Sequence, residues 1–341
     1  MDALLSLPVM GYFFMPGLTS YRTSLNVLFF YVTWSTLIIS HSPLKVEVLG
    51  ILGIRTVFWL VPSLLFLLFD TIIPSLAVGI KTQGVSALPT RTGGLKARRH
   101  GGRPQWYAVV ALSMFNICVT AALQAVIELL LTEFLSWPSA LKVTTTLPMP
   151  WNIVKDILRA LFLREGLQYY IHRFILHPTT PTRLSKLHAT YFHSITSPYS
   201  FTAHYDHPFS YILFRFLPTY LPAAIFRTHL LTYLLLLSVI TLEETLTLSG
   251  YSTIPGIILH GVTRRQDLHS EGRGQGNYGA WGLLDWIHGT GLGPDLMDDV
   301  RDEGEKHQVR KRSGRALSDA VSSGKQGFKA LNGKRRSSRK A

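Results

Sequence analysis

The sequence predicts an all-α, polytopic membrane helical bundle of about four to six spans with a cytosolic His-rich cap. Three observations predict it. Apolar residues make up 47% of the 341-residue chain, and they gather in long runs for which a bilayer is the better solvent. The net charge of +14 comes almost wholly from residues 81–106 and 301–341, the pattern of basic loops flanking spans. Six of the thirteen histidines lie between His172 and His207, where an even scatter would leave far fewer.

Residues 1–20 are apolar and broken by Gly and Pro, with no basic segment ahead of them to mark a cleaved signal. Residues 24–40 form a marginal span and residues 56–80 a stronger one. Asp70, near the middle of the latter, needs a partner or a site near the interface. Residues 81–106 carry Lys81, Arg91, Lys96, Arg98, Arg99 and Arg103 without an acid, and read as a basic cytosolic linker. Residues 107–135 form a third apolar segment, broken by Trp137-Pro138. Residues 151–171 read as a helix with too many charges (Lys155, Asp156, Arg159, Arg164, Glu165) to face lipid, so it packs in a bundle or lies at the interface. Two further spans, about 209–226 and 229–249, form a hairpin. Residues 250–290 are Gly-rich and polar, and residues 291–341 read as a basic disordered tail.

The chain therefore divides into N-terminal spans (1–80), the linker (81–106), a membrane domain (107–290) and the tail (291–341). With linker and tail both cytosolic, an even number of spans lies between them. That places 172–208 and 250–341 on the same side, so the clustered histidines, His260 and His269 share one compartment.

The single cysteine, Cys118, excludes an internal disulfide and any Cys-based zinc or iron–sulfur site. A metal would be held by nitrogen and oxygen. No nucleic-acid-reading module accompanies the basic charge, so no nucleic-acid partner is expected. No HExxH is present, which removes the usual zinc-peptidase pattern. Neither a dinucleotide fingerprint nor a haem-binding segment is visible. A haem held by two histidines between spans would have only His229 at the required depth.

The histidines come in pairs: His172 and His177 after the helix at 151–171, His188 and His193 on the next short segment, His204 and His207 before the return at Pro208. His269 follows the last span. Imidazole suits iron, zinc, copper and nickel. Seven imidazoles exceed the four ligands of one tetrahedral zinc. They suit two metals that each keep an open position. Asp206 and Asp267 are placed beside candidate ligands, where a carboxylate can orient an imidazole through its other nitrogen.

As a set, HRFILHP (172–178), LHATYFHS (187–194), AHYDHP (203–208), RRQDLHS (264–270), NYG (277–279) and LDWIHGT (284–290) resemble the histidine boxes of the fatty acid hydroxylase superfamily. These are membrane non-haem di-iron oxygenases that include sterol desaturases and sterol methyl oxidases. The resemblance covers about 107–290. It implies iron, two ions per chain, held by His172, His177, His188, His193, His204, His207 and His269, with His260 a further candidate. It implies that Asn277 and Asp285 hold the trailing loop, and that Arg173 has a structural or charge-balancing role. The sequence departs from the pattern in three places. The first and second boxes each have one residue too many, and Phe192 stands where the pattern has histidine. Gln266 and Ser270 stand where the third box has histidine. GRGQG (272–276) is inserted before NYG. Glu243 and Glu244 occupy a region where the family can carry a further histidine, and are candidates to replace it.

The expected activity is hydroxylation or desaturation of a lipid, sterol or terpenoid by O2 in the endoplasmic reticulum membrane. Electrons are expected from a cytochrome b5 or its reductase. The alternative is a catalytically degenerate relative that binds lipid or a partner.

Overall fold

The helices begin and end where proline and glycine dictate. The structure, a computed structural model, describes residues 21–90, 104–252, 257–295, 297–299 and 301. The first twenty residues, the arginines of the basic linker from Arg91 to Arg103 and the tail after 301 lie outside the described residues. Among the described residues no strand forms, and the only β-type pairings are two isolated bridges, Lys81–Tyr251 and Lys142–His229.

Helix α1 is Tyr21–Ser40. Helix α2, Pro43–Ile72, starts from an extended Ser42 with proline in its first turn, where no N–H is needed. It runs through one π turn at Thr56–Leu60 and stops at Ile73, the residue before Pro74. The expected span at 56–80 is thus two helices: α2, which starts earlier, and α3, Pro74–Ile80. Helix α4, Trp106–Phe134, closes on a second π turn before Trp137-Pro138. Helix α5 is Pro150–Ile171, α6 Arg183–Tyr191. Helix α7 joins Pro208–Tyr211, a π turn at Ile212–Phe216, and Leu217–Ile225. Helices α8, α9 and α10 are Leu230–Thr247, Ile257–Glu271 and Leu283–His288.

Three described helices, α2, α4 and α8, are long and apolar enough to cross a membrane. Helix α5 carries five charges, and α7 is interrupted by its π turn and contains Arg215. Both pack into the bundle beside these three. Phe29, Ile39, Leu65, Ile72, Phe115 and Phe134 point outward, a belt that suits lipid and would be costly in water. Inside, Trp34, Leu141, Leu230, Tyr233 and Leu236 form one core, and Trp59, Val109, Tyr199 and Phe201 a second beneath the 3-10 turn Ser200–His204. The described residues up to Gly293 form one compact unit.

Charges inside this bundle are paired. Asp70 accepts from Lys81 Nζ at 2.7 Å and from the Tyr251 hydroxyl. Lys81 therefore belongs to the folded body rather than to a free linker. Thr82 N binds Gly250 O at 3.0 Å and Gln83 Nε2 binds Thr196 O at 3.2 Å. The segments after α3, after α6 and after α8 thus meet at one end of the bundle. At the other end His229 is the N-cap of α8. Its Nδ1 accepts from Leu231 N at 3.1 Å, and its Nε2 meets the Thr144 hydroxyl. Both ring nitrogens are occupied, so His229 has no role as a haem ligand here.

Candidate metal centre

Helix α5 delivers the first pair of histidines, and a π turn aims them. Two residues five apart on an α-helix point about 140° away from each other. Residues 172–176 instead form a π turn, closed by His177 N donating to His172 O at 2.9 Å, and the i→i+5 bond brings both rings to one face. Their centroids lie 4.9 Å apart. The second pair has the same spacing and a different device. Helix α6 begins with a Thr182/Ser185 capping box and ends in a 3-10 turn, Phe192–Ser194. The tightened turn brings His193 back beside His188, centroids 5.0 Å apart. The extra residue in each box is absorbed by a non-α turn.

His269, in the last turn of α9, completes the group. The rings of His172, His177, His188, His193 and His269 contact one another at centroid distances of 4.6 to 5.4 Å. Donor atoms of His172, His177, His193 and His269 all lie within 4.8 Å of one another.

The ring orientations are set from outside the cluster. His172 Nδ1–H donates to Tyr278 O at 2.9 Å, His269 Nδ1–H to Gly276 O at 2.6 Å, and His188 Nδ1–H to Asp206 Oδ2 at 2.7 Å. A carbonyl or carboxylate oxygen can only accept, so in all three rings Nε2 carries the lone pair. Those three Nε2 atoms, with His193 Nδ1, are buried and lack a hydrogen-bond partner. His177 and His193 face each other through Nε2 atoms 3.1 Å apart. Burial and the crowding of like groups hold His172 and His193 well below the usual histidine range, His177 at about 3 and His269 at about 4. At neutral pH these rings are uncharged donors. Buried, neutral, pre-oriented nitrogens that lack partners of their own fit a metal ion. His172, His177, His188, His193 and His269 are the residues that would hold it.

The supporting shell explains the trailing motif. Asp285 accepts from Tyr278 N at 2.8 Å and Gly279 N at 2.7 Å, and so fixes the carbonyl that orients His172. Asn277, at φ 51°, pins the same loop through Arg265 O, Leu292 O and Leu292 N. Glu165 on α5 receives Trp281 N at 2.8 Å and Leu283 N at 3.2 Å. Asn116 on α4 holds the carbonyls of His204 and Asp206, each at 2.9 Å. Arg173 donates to the Tyr169 hydroxyl at 2.5 Å. Glu165, Asn116, Tyr278 and Gly276 were not expected from the sequence; Tyr278 and Gly276 act through backbone oxygens, which carry no side-chain signal.

The group gathered is smaller than the expected seven. His204 is fully buried but lies in another network. Arg55 Nη1 can only donate, and it does so to His204 Nε2 at 3.4 Å, while His204 Nδ1 meets the Tyr211 hydroxyl at 3.0 Å. No lone pair is left. His207 stacks on Phe209 and sits edge-on to Tyr191, outside the five-ring contact. His260 binds Ser252 O at 2.9 Å. Glu244 accepts from Arg164 Nη2 at 3.2 Å and Arg215 Nη1 at 3.0 Å, and Glu243 from Arg164 Nη1 at 2.9 Å. Both are tied to arginines rather than turned to the cluster. Asp267 lines a cleft of about 340 Å³ with Thr82, Gln83 and Ser86. It points away from His269, because residues two apart on a helix do not share a face.

The inserted GRGQG loop is part of the site. Gly274 has φ +90°, and a Cβ there would come within 2.7 Å of His177 Nδ1. Gly274→Ala is expected to displace the His177 ring and to strain the backbone by about 1–2 kcal/mol. Metal affinity, measured by chelator competition, should fall, while Gly79→Ala, which meets no neighbouring atom, leaves it unchanged.

The fatty acid hydroxylase family model matches residues 157–290, from within α5 to the end of the trailing motif. Methylsterol monooxygenase 1-3 of Arabidopsis thaliana is 28% identical over 195 residues, covering 52% of this chain and 65% of that protein. Fatty acid hydroxylase domain-containing protein 2 of Macaca fascicularis is 28% identical over 199 residues, covering 57% of this chain and 53% of that protein. The matched region thus spans between about half and just under two thirds of these relatives. No solved structure matches the chain. All five clustered histidines and the loop that orients them lie inside the matched region, and the comparisons support membership of the fatty acid hydroxylase superfamily for this region at modest identity.

Proposed function

We propose that this chain is an iron-dependent membrane oxidoreductase that uses O2 to hydroxylate or desaturate a lipid, sterol or terpenoid. One observation carries the reading: five imidazoles from the ends of three helices converge, and at least four of their buried nitrogens have no other partner. The family and the sterol-oxidising names of the Arabidopsis relatives support a lipid oxidase of this general type. Iron supplies activation of O2 when bound, and neutral imidazoles suit it. The chain's own residues then do the rest. Asp285 through Tyr278, Gly276 and Asp206 keep the rings of His172, His269 and His188 aimed inward. The apolar belt of α2 and α4 lets an apolar substrate reach the bundle from the bilayer. The five-ring cluster, largely buried, keeps bulk water from the reacting carbon.

Hydroxylation balances as R–H plus O2, two electrons and two protons giving R–OH and water. Desaturation takes the same inputs and gives an alkene and two waters. The electrons come from a one-electron donor of the cytochrome b5 class or its reductase. The basic charge of residues 81–106 and 301–341 in the sequence supports a cytosolic site for that donor, in the endoplasmic reticulum membrane. The second reading, a lipid- or partner-binding relative without turnover, is favoured by Phe192, Gln266 and Ser270, which stand where the family pattern has histidine.

The test is turnover by membranes from an expressing host, supplied with NADH, a b5 system and panels of sterols, fatty acids and terpenoids. A product heavier by one oxygen or lighter by two hydrogens, dependent on O2 and absent with His188→Ala/His193→Ala, is expected. Metal-loaded membranes that convert no member of the panels would favour the second reading.

A further inference from the structure

We propose that this chain holds one metal ion, not two, within the cage of His172, His177, His188, His193 and His269. This rests on reading the cluster as a metal centre, and it changes the stoichiometry that the family resemblance implies. Three independent observations lead to it.

The first is distance. Two nitrogens on opposite sides of one ion lie about 4.2 Å apart, given metal–nitrogen bonds of about 2.1 Å. Ligands at the outer ends of a two-ion site, with ions about 3.5–4 Å apart, lie about 8 Å apart. The donor atoms of His172, His177, His193 and His269 are all within 4.8 Å of one another. His188 contacts three of these rings at 5.0 to 5.4 Å between centroids. The four donors within 4.8 Å of one another are the size of one ion's ligand set, and the His188 ring lies against them. Five imidazole donors with one place left open complete a single first-row ion.

The second is the use already made of the carboxylates of Asp206, Asp285, Glu165, Glu243 and Glu244 by other partners. Two divalent ions side by side need anionic ligands to offset their repulsion, which is four times that of unit charges at the same distance. Asp206 is bonded to His188 and to His207 N. Asp285 takes Tyr278 N, Gly279 N and the Thr290 hydroxyl. Glu165 takes two backbone N–H groups. Glu243 and Glu244 are held by Arg164 and Arg215. None is directed at the imidazoles to bridge two ions.

The third is what occupies the places of the missing ligands. The Phe192 ring lies stacked on His188, centroids 5.1 Å apart and 12° between planes. It fills with apolar surface the space that a neighbouring imidazole would have used. His204 has both nitrogens engaged, one of them by the Arg55 guanidinium, and Arg55 also lies 3.6 Å from Glu244. Three buried guanidiniums, from Arg55, Arg164 and Arg215, surround two carboxylates on this flank. A flank this rich in cations, with both His204 nitrogens engaged, disfavours a second metal there.

The experiment uses the full chain in detergent, stripped of metal by chelator and titrated anaerobically with Co(II), then separately with Fe(II). Bound metal is counted by mass spectrometry after desalting. The Fe(II) form is then exposed to O2 and examined by electron paramagnetic resonance with spin counting. The expected result is saturation at one metal per chain with either ion, and a high-spin ferric signal amounting to about one spin per chain. Saturation at two, with a ferric form silent from coupling between ions, would overturn the single-ion proposal and leave the proposed oxidase function standing. No binding by folded protein would overturn both.

Discussion

Glu244→Gln is expected to lower the thermal unfolding midpoint by roughly 10 °C, from a loss of about 3–5 kcal/mol, without lowering the metal bound per folded chain. Glu244 is 2% exposed and is the shared anion of three arginines: Arg164, Arg215 and, at longer range, Arg55. The three come from α5, α7 and α2, so the carboxylate joins three helices to α8. Losing its charge leaves buried guanidiniums facing Glu243 alone. Removing one member of such a group costs far more than the group contributes in total, because the remaining charges stay desolvated. A scan in detergent at fixed heating rate, paired with metal analysis of the folded fraction, reads both quantities. Loss of metal with an unchanged midpoint would instead make Glu244 a ligand.

Asp206→Asn is expected to weaken metal binding by about 10–100-fold while the fold persists. The carboxylate accepts His188 Nδ1–H at 2.7 Å. It thereby fixes the tautomer and raises the donor strength of Nε2. Asparagine keeps the shape, and its amide oxygen still accepts, but the negative charge behind the imidazole is gone. The Asp206 backbone remains held by Asn116, so the loop is not the part that changes. Chelator competition against wild type measures the shift. Asp267→Asn serves as the control, because Asp267 faces the Thr82 cleft, and it should leave affinity unchanged. Equal effects from the two would contradict the assignment of Asp206.

Histidine density made the cluster legible in the sequence, and its limits follow from what density cannot express. Five of the seven expected ligands converge because their boxes sit at the ends of α5, α6 and α9. His204 belongs to the same dense stretch, but its environment is set by Arg55 and Tyr211, and Arg55 is 149 residues distant in the chain. No local pattern reports that contact. Asp206 and Asp267 looked alike, each a residue or two from a histidine. One lies in a loop and can turn to His188; the other is on a helix, where two residues' separation points it elsewhere. The five-residue spacings read as departures from a pattern until the π turn at His172–Leu176 and the 3-10 turn at Phe192–Ser194 explain them. Apolar content alone points to a span at 56–80, whereas the Ser42-Pro43 start and the Ile73-Pro74 stop set the helix at Pro43–Ile72. Lys81, counted as linker charge, is the partner that Asp70 required.

The most direct test of the metal centre is elemental analysis of the purified chain beside His188→Ala/His193→Ala. The account predicts iron in the wild type and its loss in the double variant, with both proteins giving the same helical circular dichroism. Iron retained in the double variant, or none in well-folded wild type, would contradict it.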